Sequence, residues 1–280
     1  MNIFINVSTL HEMLKKEDSV VPIDVRFNLQ DTSYGRWAYE KEHIPGAVYL
    51  DLDEDLSGNV RTHGGAHPLP SIESFSKKLG ALGIDQQTTV VIYSDTNDMY
   101  VARAWWLMYY VGHKDVYILD GGFKRWKEAG YRVSHVIPTP TPKTFKPQLL
   151  NQAVANIKDV KEKMKNSSAI LIDSRSRERY LGKKEPLYEK AGHIPGARNF
   201  FWKDVLHEDG TWKSKKELQN HFSSLPKTSE IIVSCGSGVS ACANVIGLLL
   251  AGYKHVTLYP GSYSDWISYE NNPVETKDES

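Results

Sequence analysis

Short, continuous apolar runs alternate along this chain with longer segments of helical periodicity. The apolar runs predict buried strands at residues 20–25, 89–94, 115–119, 169–173, 230–234 and 255–258. The helical patterns lie at residues 71–82, 101–111, 157–165 and 238–251, and capping boxes at residues 9–12 and 214–217 predict two further helix starts. Residues 26–71 show no clear period. The alternation indicates an α/β fold built from parallel sheets with helices on both faces.

The pattern occurs twice. Val21-Pro-Ile-Asp-Val-Arg26 matches Ile170-Leu-Ile-Asp-Ser-Arg175, and His-Ile-Pro-Gly-Ala occurs at residues 43–47 and again at 193–197. From residue 91 onward the copies align without a gap at an offset of 140, which places Trp126 on Trp266. A repeat of this length predicts two tandem copies of one domain rather than a solenoid.

We predict a first domain at residues 1–136, a linker at 137–149 and a second domain at 150–280. Four prolines between residues 138 and 147 predict that the linker is extended and semi-rigid. Either domain is long enough to bury its own core.

Charge and cysteine content narrow the function classes. Lys plus Arg equals Asp plus Glu, at 34 each in 280 residues, so the overall charge does not favour a nucleic-acid or membrane partner. The first residues lack a signal-peptide pattern, and the most apolar stretch is too short for a membrane helix. Two cysteines make neither a disulfide framework nor a zinc site. We therefore expect a cytoplasmic protein without a metal or other cofactor.

Cys235 stands where the strand at 230–234 stops and an apolar helix follows. Gly236 and Gly238 allow the intervening loop, which continues through Val239 and Ser240, to curl so that successive backbone N–H groups point at one spot. Together with the helix N-terminus, such groups favour a thiolate over a thiol. The hypothesis is that Cys235 is a nucleophile in an anion-binding loop.

Three other interpretations of this loop are possible. Residues 236–241 satisfy the G-x-G-x-x-A pattern of a dinucleotide site, but no acidic residue follows about 20 positions later, at the end of a second strand. A cysteine phosphatase would need an arginine at position 241 to clamp the phosphoryl group, and that residue is Ala241. Cys235 could also be an inert core cysteine, although the two glycines of the turn argue against it.

Taken together, the tandem copies, the paired His-Ile-Pro-Gly-Ala segments, the Asp-x-Arg after each first strand and the Cys235–Ser240 loop resemble the two-domain rhodanese-type sulfurtransferases, which use 3-mercaptopyruvate or thiosulfate. The resemblance covers nearly the whole chain. It implies that the Cys235 thiolate takes sulfur from a small-molecule donor as a persulfide. The sulfur then passes to a thiol, cyanide or a thioredoxin-like acceptor. Asp95 stands at the matching position of the first copy, which implies that this copy is inactive.

The same resemblance bears on the donor. Members specific for thiosulfate carry cationic side chains just after the cysteine, whereas here Gly236 and Ser237 are neutral, as in 3-mercaptopyruvate sulfurtransferases. By the resemblance, Ser237, His67 and Asp53 assist Cys235 in catalysis. Substrate binding is then assigned to Arg179 and to the loop residues Gly236, Gly238, Val239 and Ser240.

One departure leaves the donor open. The family's second substrate arginine is replaced by Tyr188. A thiosulfate:cyanide sulfurtransferase, or a non-catalytic rhodanese-like binding module, therefore remains an alternative. Other motifs suggest architecture: ion pairs Asp24–Arg26 and Asp173–Arg175 at the ends of the first strands, structural histidines at 43 and 193, and core packing for Cys242.

Overall fold

The computed structural model describes residues 3–16 and 19–278, which divide into two compact units. The first unit contains Met1–Gly58, Pro70–Leu150 and Glu208–Trp212, and the second contains Asn59–Leu69, Asn151–His207 and Lys213–Ser280. Each unit thus includes a short segment from the middle of the other's sequence range. The domain limits inferred from the sequence stay predictions.

The first unit is built on a five-stranded sheet in which every pairing is parallel. In the order β1-β5-β4-β2-β3, its strands are β1 (Phe4–Ile5), β2 (Val20–Asp24), β3 (Val48–Tyr49), β4 (Thr89–Tyr93) and β5 (Val116–Leu119). Its helices are α1 (Val7–Lys16), α2 (Tyr34–Lys41), α3 (Ile72–Ala81), α4 (Met99–Tyr110) and α5 (Gly122–Glu128).

The second unit repeats this plan with a parallel sheet in the order β7-β6-β8-β9. Its strands are β6 (Ala169–Asp173), β7 (Arg198–Asn199), β8 (Glu230–Ser234) and β9 (Val256–Leu258). Its helices are α6 (Ile157–Lys165), α7 (Arg177–Tyr180), α8 (Lys215–His221), α9 (Ala241–Ala251) and α10 (Ser262–Ile267), with 3₁₀ turns at Asn151–Ala153 and Trp202–Val205.

The central strands are the best buried parts of each unit. Four of the five residues of β8 have buried side chains, and β4 is buried throughout. Helix α9 is apolar around most of its circumference, and nine of its eleven residues are buried. A helix of this composition is stable only inside a core. The parallel α/β architecture expected from the alternating pattern is confirmed.

The predicted elements compare closely with the observed ones. The bounds predicted for α6, β6 and β8 are confirmed, as is the capping box at Ser214. The predicted start of the first helix at residue 9 is wrong. Asn6 Oδ1 accepts from the N–H of Thr9 at 2.8 Å, so the helix begins two residues earlier, at Val7.

Two further predictions need correction. Helix α9 begins at Ala241 and not at residue 238, because Gly238 has a left-handed φ of +79°, outside the right-handed helical region. The stretch at residues 26–71 is not irregular throughout, since it contains α2 and β3. Both elements are short, and α2 buries only Gly35, Ala38 and Tyr39, so their sequence signal is weak.

The proline-rich segment before the second copy forms neither helix nor strand. It runs along the first unit through backbone hydrogen bonds: Lys143 N–H donates to Gly80 O at 2.9 Å, and Gln148 N–H donates to Val111 O at 2.9 Å. Within residues 3–16 and 19–278, no helix is long and apolar enough to cross a membrane.

Candidate active site

Cys235 lies at the carboxyl end of β8, a central strand paired with β6 on one side and β9 on the other. The edge formed by the carboxyl ends of parallel strands is where α/β proteins bind ligands. The side chain of Cys235 is buried, with 1% of the residue exposed. The strand therefore delivers the sulfur to a sheltered position at this edge.

The loop after Cys235 is held by contacts to the sulfur and to the segment after β9. The N–H of Gly238 donates to Cys235 Sγ at 3.1 Å. A Cβ atom on Gly238 would lie 2.2 Å from the carbonyl oxygen of Pro260. Position 238 therefore requires glycine for two reasons, the φ of +79° and the close approach of the Pro260 carbonyl oxygen.

Other N–H groups of the loop remain available to a ligand. Among the described residues, no acceptor is recorded for the backbone N–H groups of Gly236, Ser237, Val239 and Ser240. Ser240 immediately precedes α9, and Val239 is buried, with 3% exposed. A curled loop with unpaired N–H groups at a helix N-terminus can hold an anion.

Ser262 was missed at the sequence level. Its hydroxyl accepts from the N–H of Cys235 at 3.0 Å and donates to Tyr259 O at 2.8 Å. Ser262 is fully buried with φ of +53°, a conformation that is costly for a residue other than glycine. A signal was present in the repeat, because position 122, which aligns with 262, is a glycine with φ of +62°.

Ser237 and His67 come together within the second unit. His67 Nδ1 lies 2.8 Å from Ser237 Oγ, although 170 residues separate them in the chain. Two contacts anchor the segment that carries His67. Gly64 N–H donates to Asp265 Oδ1 at 2.8 Å, and Ala66 N–H donates to Ser264 Oγ at 3.0 Å.

Asp53 belongs to the first unit, where its side chain is exposed. Its backbone N–H donates to Asp51 Oδ1 at 2.8 Å. Partial loss of hydration and, to a smaller extent, the Asp51 carboxylate raise the pKa of Asp53. Its role in assisting Cys235, together with Ser237 and His67, stays a prediction.

Arg179 lies in a chain of alternating charges. Its Nε and Nη2 donate to Glu185 at 3.2 and 2.8 Å, and Glu185 also accepts from Arg175 at 3.0 Å. Arg175 in turn pairs with Asp173 at 2.6 Å. The buried carboxylate of Glu185 was not identified from the sequence, because its partners are set by the loop's conformation. Arg179 keeps a partly exposed edge, with 19% of its side chain accessible.

Tyr188 packs against the cysteine loop. A Cβ atom on Gly236 would lie 3.0 Å from Tyr188 Oη. The ring edge meets Tyr263 at 5.9 Å between centroids, and Arg179 Cζ lies 5.5 Å from the Tyr188 centroid. Burial and the neighbouring Cys235 charge raise the pKa of Tyr188, so its phenol is neutral near pH 7.

In the first unit the matching loop has a different chemistry. Asp95 Oδ2 accepts from the hydroxyl of Tyr34 at 2.6 Å. Burial and this carboxylate raise the pKa of Tyr34 to about 12, so the hydroxyl keeps its proton. A carboxylate cannot serve as a sulfur nucleophile.

The residues predicted to be architectural are indeed packed inside the units. Asp24 and Arg26 form a buried pair at 2.7 Å, matching the pair at Asp173 and Arg175. The Nδ1 atoms of the two fully buried histidines lie 2.7 Å from the carbonyl oxygens of Tyr39 (His43) and Tyr180 (His193). Cys242 is fully buried in α9, and both cysteines are free thiols.

Comparison with known proteins gives two matches to the rhodanese-like domain, at residues 6–129 and 156–269. The chain is 39% identical over 267 residues to a probable 3-mercaptopyruvate sulfurtransferase of Pseudomonas aeruginosa, covering 94% of each chain. It is 34% identical to a putative thiosulfate sulfurtransferase of Mycobacterium tuberculosis, over 97% of this chain and 96% of the relative.

A solved structure has the same fold. SseA from Escherichia coli, described as a 3-mercaptopyruvate sulfotransferase with the rhodanese fold, superimposes with a TM-score of 0.83 at 29% identity. The match covers 94% of this chain and all of SseA. With two family matches and a relative of this identity along nearly its whole length, the chain belongs to the rhodanese family and carries two rhodanese-like domains.

Proposed function

We propose that this protein is a sulfurtransferase that carries sulfane sulfur on Cys235, with 3-mercaptopyruvate as the favoured donor. Relatives named for 3-mercaptopyruvate and for thiosulfate both support the activity, and the residues of the site favour one donor over the other. The observation that carries the choice is the 2.8 Å contact of Ser237 Oγ with His67 Nδ1, two residues from the buried sulfur.

The first step forms a persulfide. The Cys235 thiolate attacks the sulfur of the donor's thiol, the carbon–sulfur bond breaks, and its electron pair passes to carbon. The products are Cys235–S–SH and the enolate of pyruvate, which takes up one proton to become pyruvate. The Gly238 N–H on Sγ, and the unpaired N–H groups of the loop, favour negative charge on the attacking sulfur and on the sulfur that it receives.

Ser237 and His67 stabilise the enolate and supply its proton. A keto acid needs a hydrogen bond to its carbonyl oxygen as negative charge develops there, and then a proton at carbon. The Ser237 hydroxyl can supply both, with His67 Nδ1 as the group that exchanges protons with it. Thiosulfate needs neither service, because its leaving group, sulfite, is a stable anion. A serine and histidine placed in this way favour the keto acid.

Arg179 supplies the cation for the donor's carboxylate. Its Nε and Nη2 are committed to Glu185, whereas no partner is recorded for Nη1 among the residues described. A guanidinium held on one edge by a buried carboxylate presents its other edge in a fixed direction, which suits a single carboxylate.

The persulfide sulfur then passes to an acceptor, for which we propose a thiol, cyanide or a thioredoxin-like protein. Each of these is a nucleophile that can attack the outer sulfur and release the Cys235 thiolate. We place the protein in the cytoplasm, because the two free cysteines and the thiolate chemistry suit a reducing compartment. The first domain, with Asp95 at the matching position, takes no sulfur.

The test compares kcat/KM for 3-mercaptopyruvate and thiosulfate with one acceptor, in the wild type and in Cys235→Ser. The proposal predicts a higher value for 3-mercaptopyruvate and no turnover of either donor by Cys235→Ser. A preference for thiosulfate would show that the donor assignment is wrong. Turnover by Cys235→Ser would exclude Cys235 as the carrier.

A further inference from the structure

Gly236 and Gly238 are glycines for different reasons. Gly238 has a left-handed backbone, but Gly236 does not, so its own conformation would tolerate a side chain. What stands in the way is Tyr188: a Cβ at position 236 would lie 3.0 Å from Oη, 3.4 Å from Cε2 and 3.6 Å from Cζ. The Tyr188 side chain therefore leaves little room for a side chain next to the nucleophile.

The packing around Tyr188 restricts the movement of its side chain. Its ring packs edge-on against Tyr263 and lies against the core of the second unit, which includes Leu171, Ile194 and Trp266. The Arg179 guanidinium lies 5.5 Å from its centroid, and Glu185 fixes that guanidinium in turn. A displacement of the phenol would have to disturb this packing.

The surroundings of Tyr188 provide little net positive charge. Arg175 and Arg179 are balanced by Asp173 and Glu185 in one connected chain of ion pairs. The phenol itself stays neutral because burial raises its pKa. A dianion that approaches a thiolate here meets repulsion that the neutral residues Gly236 and Ser237 do not offset, whereas a donor with one carboxylate needs only the free edge of Arg179.

Resting on the sulfurtransferase function proposed above, we infer that Tyr188 and Gly236 are a coupled specificity pair. The phenol occupies the space that a cationic side chain at position 236 would need, and it thereby restricts the site to donors with a single carboxylate. With thiosulfate the thiolate would attack the outer sulfur, the sulfur–sulfur bond would break, and sulfite would leave with the electron pair. The charge of the dianion is what the pair selects against.

The first experiment tests the contact itself with small changes. Gly236→Ala is compared with Gly236→Ala/Tyr188→Phe, because removal of Oη leaves the new methyl at ordinary contact distances from the ring. We expect Gly236→Ala to lower kcat/KM for 3-mercaptopyruvate by about fivefold in the wild type, and by less than about twofold relative to Tyr188→Phe alone. Equal losses in the two backgrounds would show that the residues are not coupled.

The second experiment tests specificity with Gly236→Lys, Tyr188→Ala and the double variant. Gly236→Lys alone should form persulfide with either donor at least about tenfold more slowly, because its side chain meets the phenol. In the double variant the lysine fits beside the sulfur, and the ratio of kcat/KM for thiosulfate to that for 3-mercaptopyruvate should rise at least about tenfold over the wild type. Thr228→Lys is the matched control, because Thr228 is exposed before the start of β8, at the end of the strand away from Cys235.

The outcomes separate this inference from the function on which it rests. If the wild type forms no persulfide with either donor, the proposed function fails. If the wild type forms persulfide but the double variant keeps the wild-type donor ratio, only the specificity pair is refuted. An equal change of ratio in Thr228→Lys would attribute the effect to overall charge and would also overturn the inference. Thermal unfolding of each variant identifies any that do not fold, and the alanine and phenylalanine series still tests the contact in that case.

Discussion

Substitution of Gly238 by alanine tests whether the conformation of the loop is what makes Cys235 reactive. Alanine at a φ of +79° costs about 1–2 kcal/mol relative to glycine. Its Cβ would also lie 2.2 Å from Pro260 O, about 1 Å closer than a tolerated contact, so the loop or the Pro260 carbonyl must move. A movement of that size is enough to lengthen the 3.1 Å contact from Gly238 N–H to Cys235 Sγ beyond hydrogen-bonding distance.

The expected loss follows from that contact. A hydrogen bond to a charged group is worth about 1.5–3 kcal/mol, which corresponds to about a 10- to 150-fold slower formation of the persulfide. The rate is measured in a single turnover with excess 3-mercaptopyruvate, by quenching samples and determining the mass of the intact protein by mass spectrometry.

Gly196→Ala is the matched control in the same unit. Gly196 has a similar φ of +74°, but its new Cβ would meet only the terminal methyl of Met164, at 3.2 Å. It should keep a rate within about threefold of the wild type while bearing the same backbone strain. The reasoning is refuted if Gly238→Ala reacts as fast as Gly196→Ala, since the loop geometry would then not control the sulfur.

Three further predictions address other parts of the molecule. Ser237→Ala should lower kcat with 3-mercaptopyruvate by about 100-fold and kcat with thiosulfate by less than about threefold. Adding His67→Ala should lower kcat with 3-mercaptopyruvate little further, because the two side chains act together. Additive losses in the double variant would contradict this coupling. Ser262→Ala and Ser262→Gly both remove the acceptor for Cys235 N–H and should slow persulfide formation by about tenfold. Ser262→Gly also relieves the left-handed backbone strain, so it should unfold at a higher temperature than Ser262→Ala. Persulfide formation by Ser262→Gly at the wild-type rate would refute the role of the hydroxyl. Burial raises the pKa of Asp98 to about 7 in the folded state, so the folded protein holds a proton that the unfolded chain releases. The free energy of unfolding should therefore fall from pH 5 to pH 8 relative to that of Asp98→Asn, which keeps the oxygen that caps α4. Equal pH profiles of the two proteins in urea denaturation would contradict the pKa shift.

The parts of the fold that follow from the sequence are those whose signal is local. Strands such as β6 and β8 are continuous apolar runs between polar turns, and the capping box at Ser214 is complete within four residues, so their limits were predictable. Strands β3 and β7 have two residues each, and α7 has four, too short for any period to appear.

The same distinction divides the candidate site. Cys235 and its glycines lie in one continuous segment, and the segment alone suggested a nucleophile in an anion-binding loop. The contact between Tyr188 and Gly236 joins residues 48 positions apart, and no pattern in either neighbourhood encodes it. Ser262 acts through a left-handed backbone and a hydrogen bond to Cys235 N–H, which only the folded chain produces.

The central claim is that Cys235 carries the sulfur. It is tested most directly by the intact mass of the full chain after incubation with 3-mercaptopyruvate and no acceptor, before and after reduction. We predict a gain of about 32 Da in the wild type, reversed by a thiol, and no gain in Cys235→Ser, whereas Cys242→Ser should be labelled like the wild type. An unlabelled wild type, with thiosulfate as well as with 3-mercaptopyruvate, or a labelled Cys235→Ser, would contradict the account.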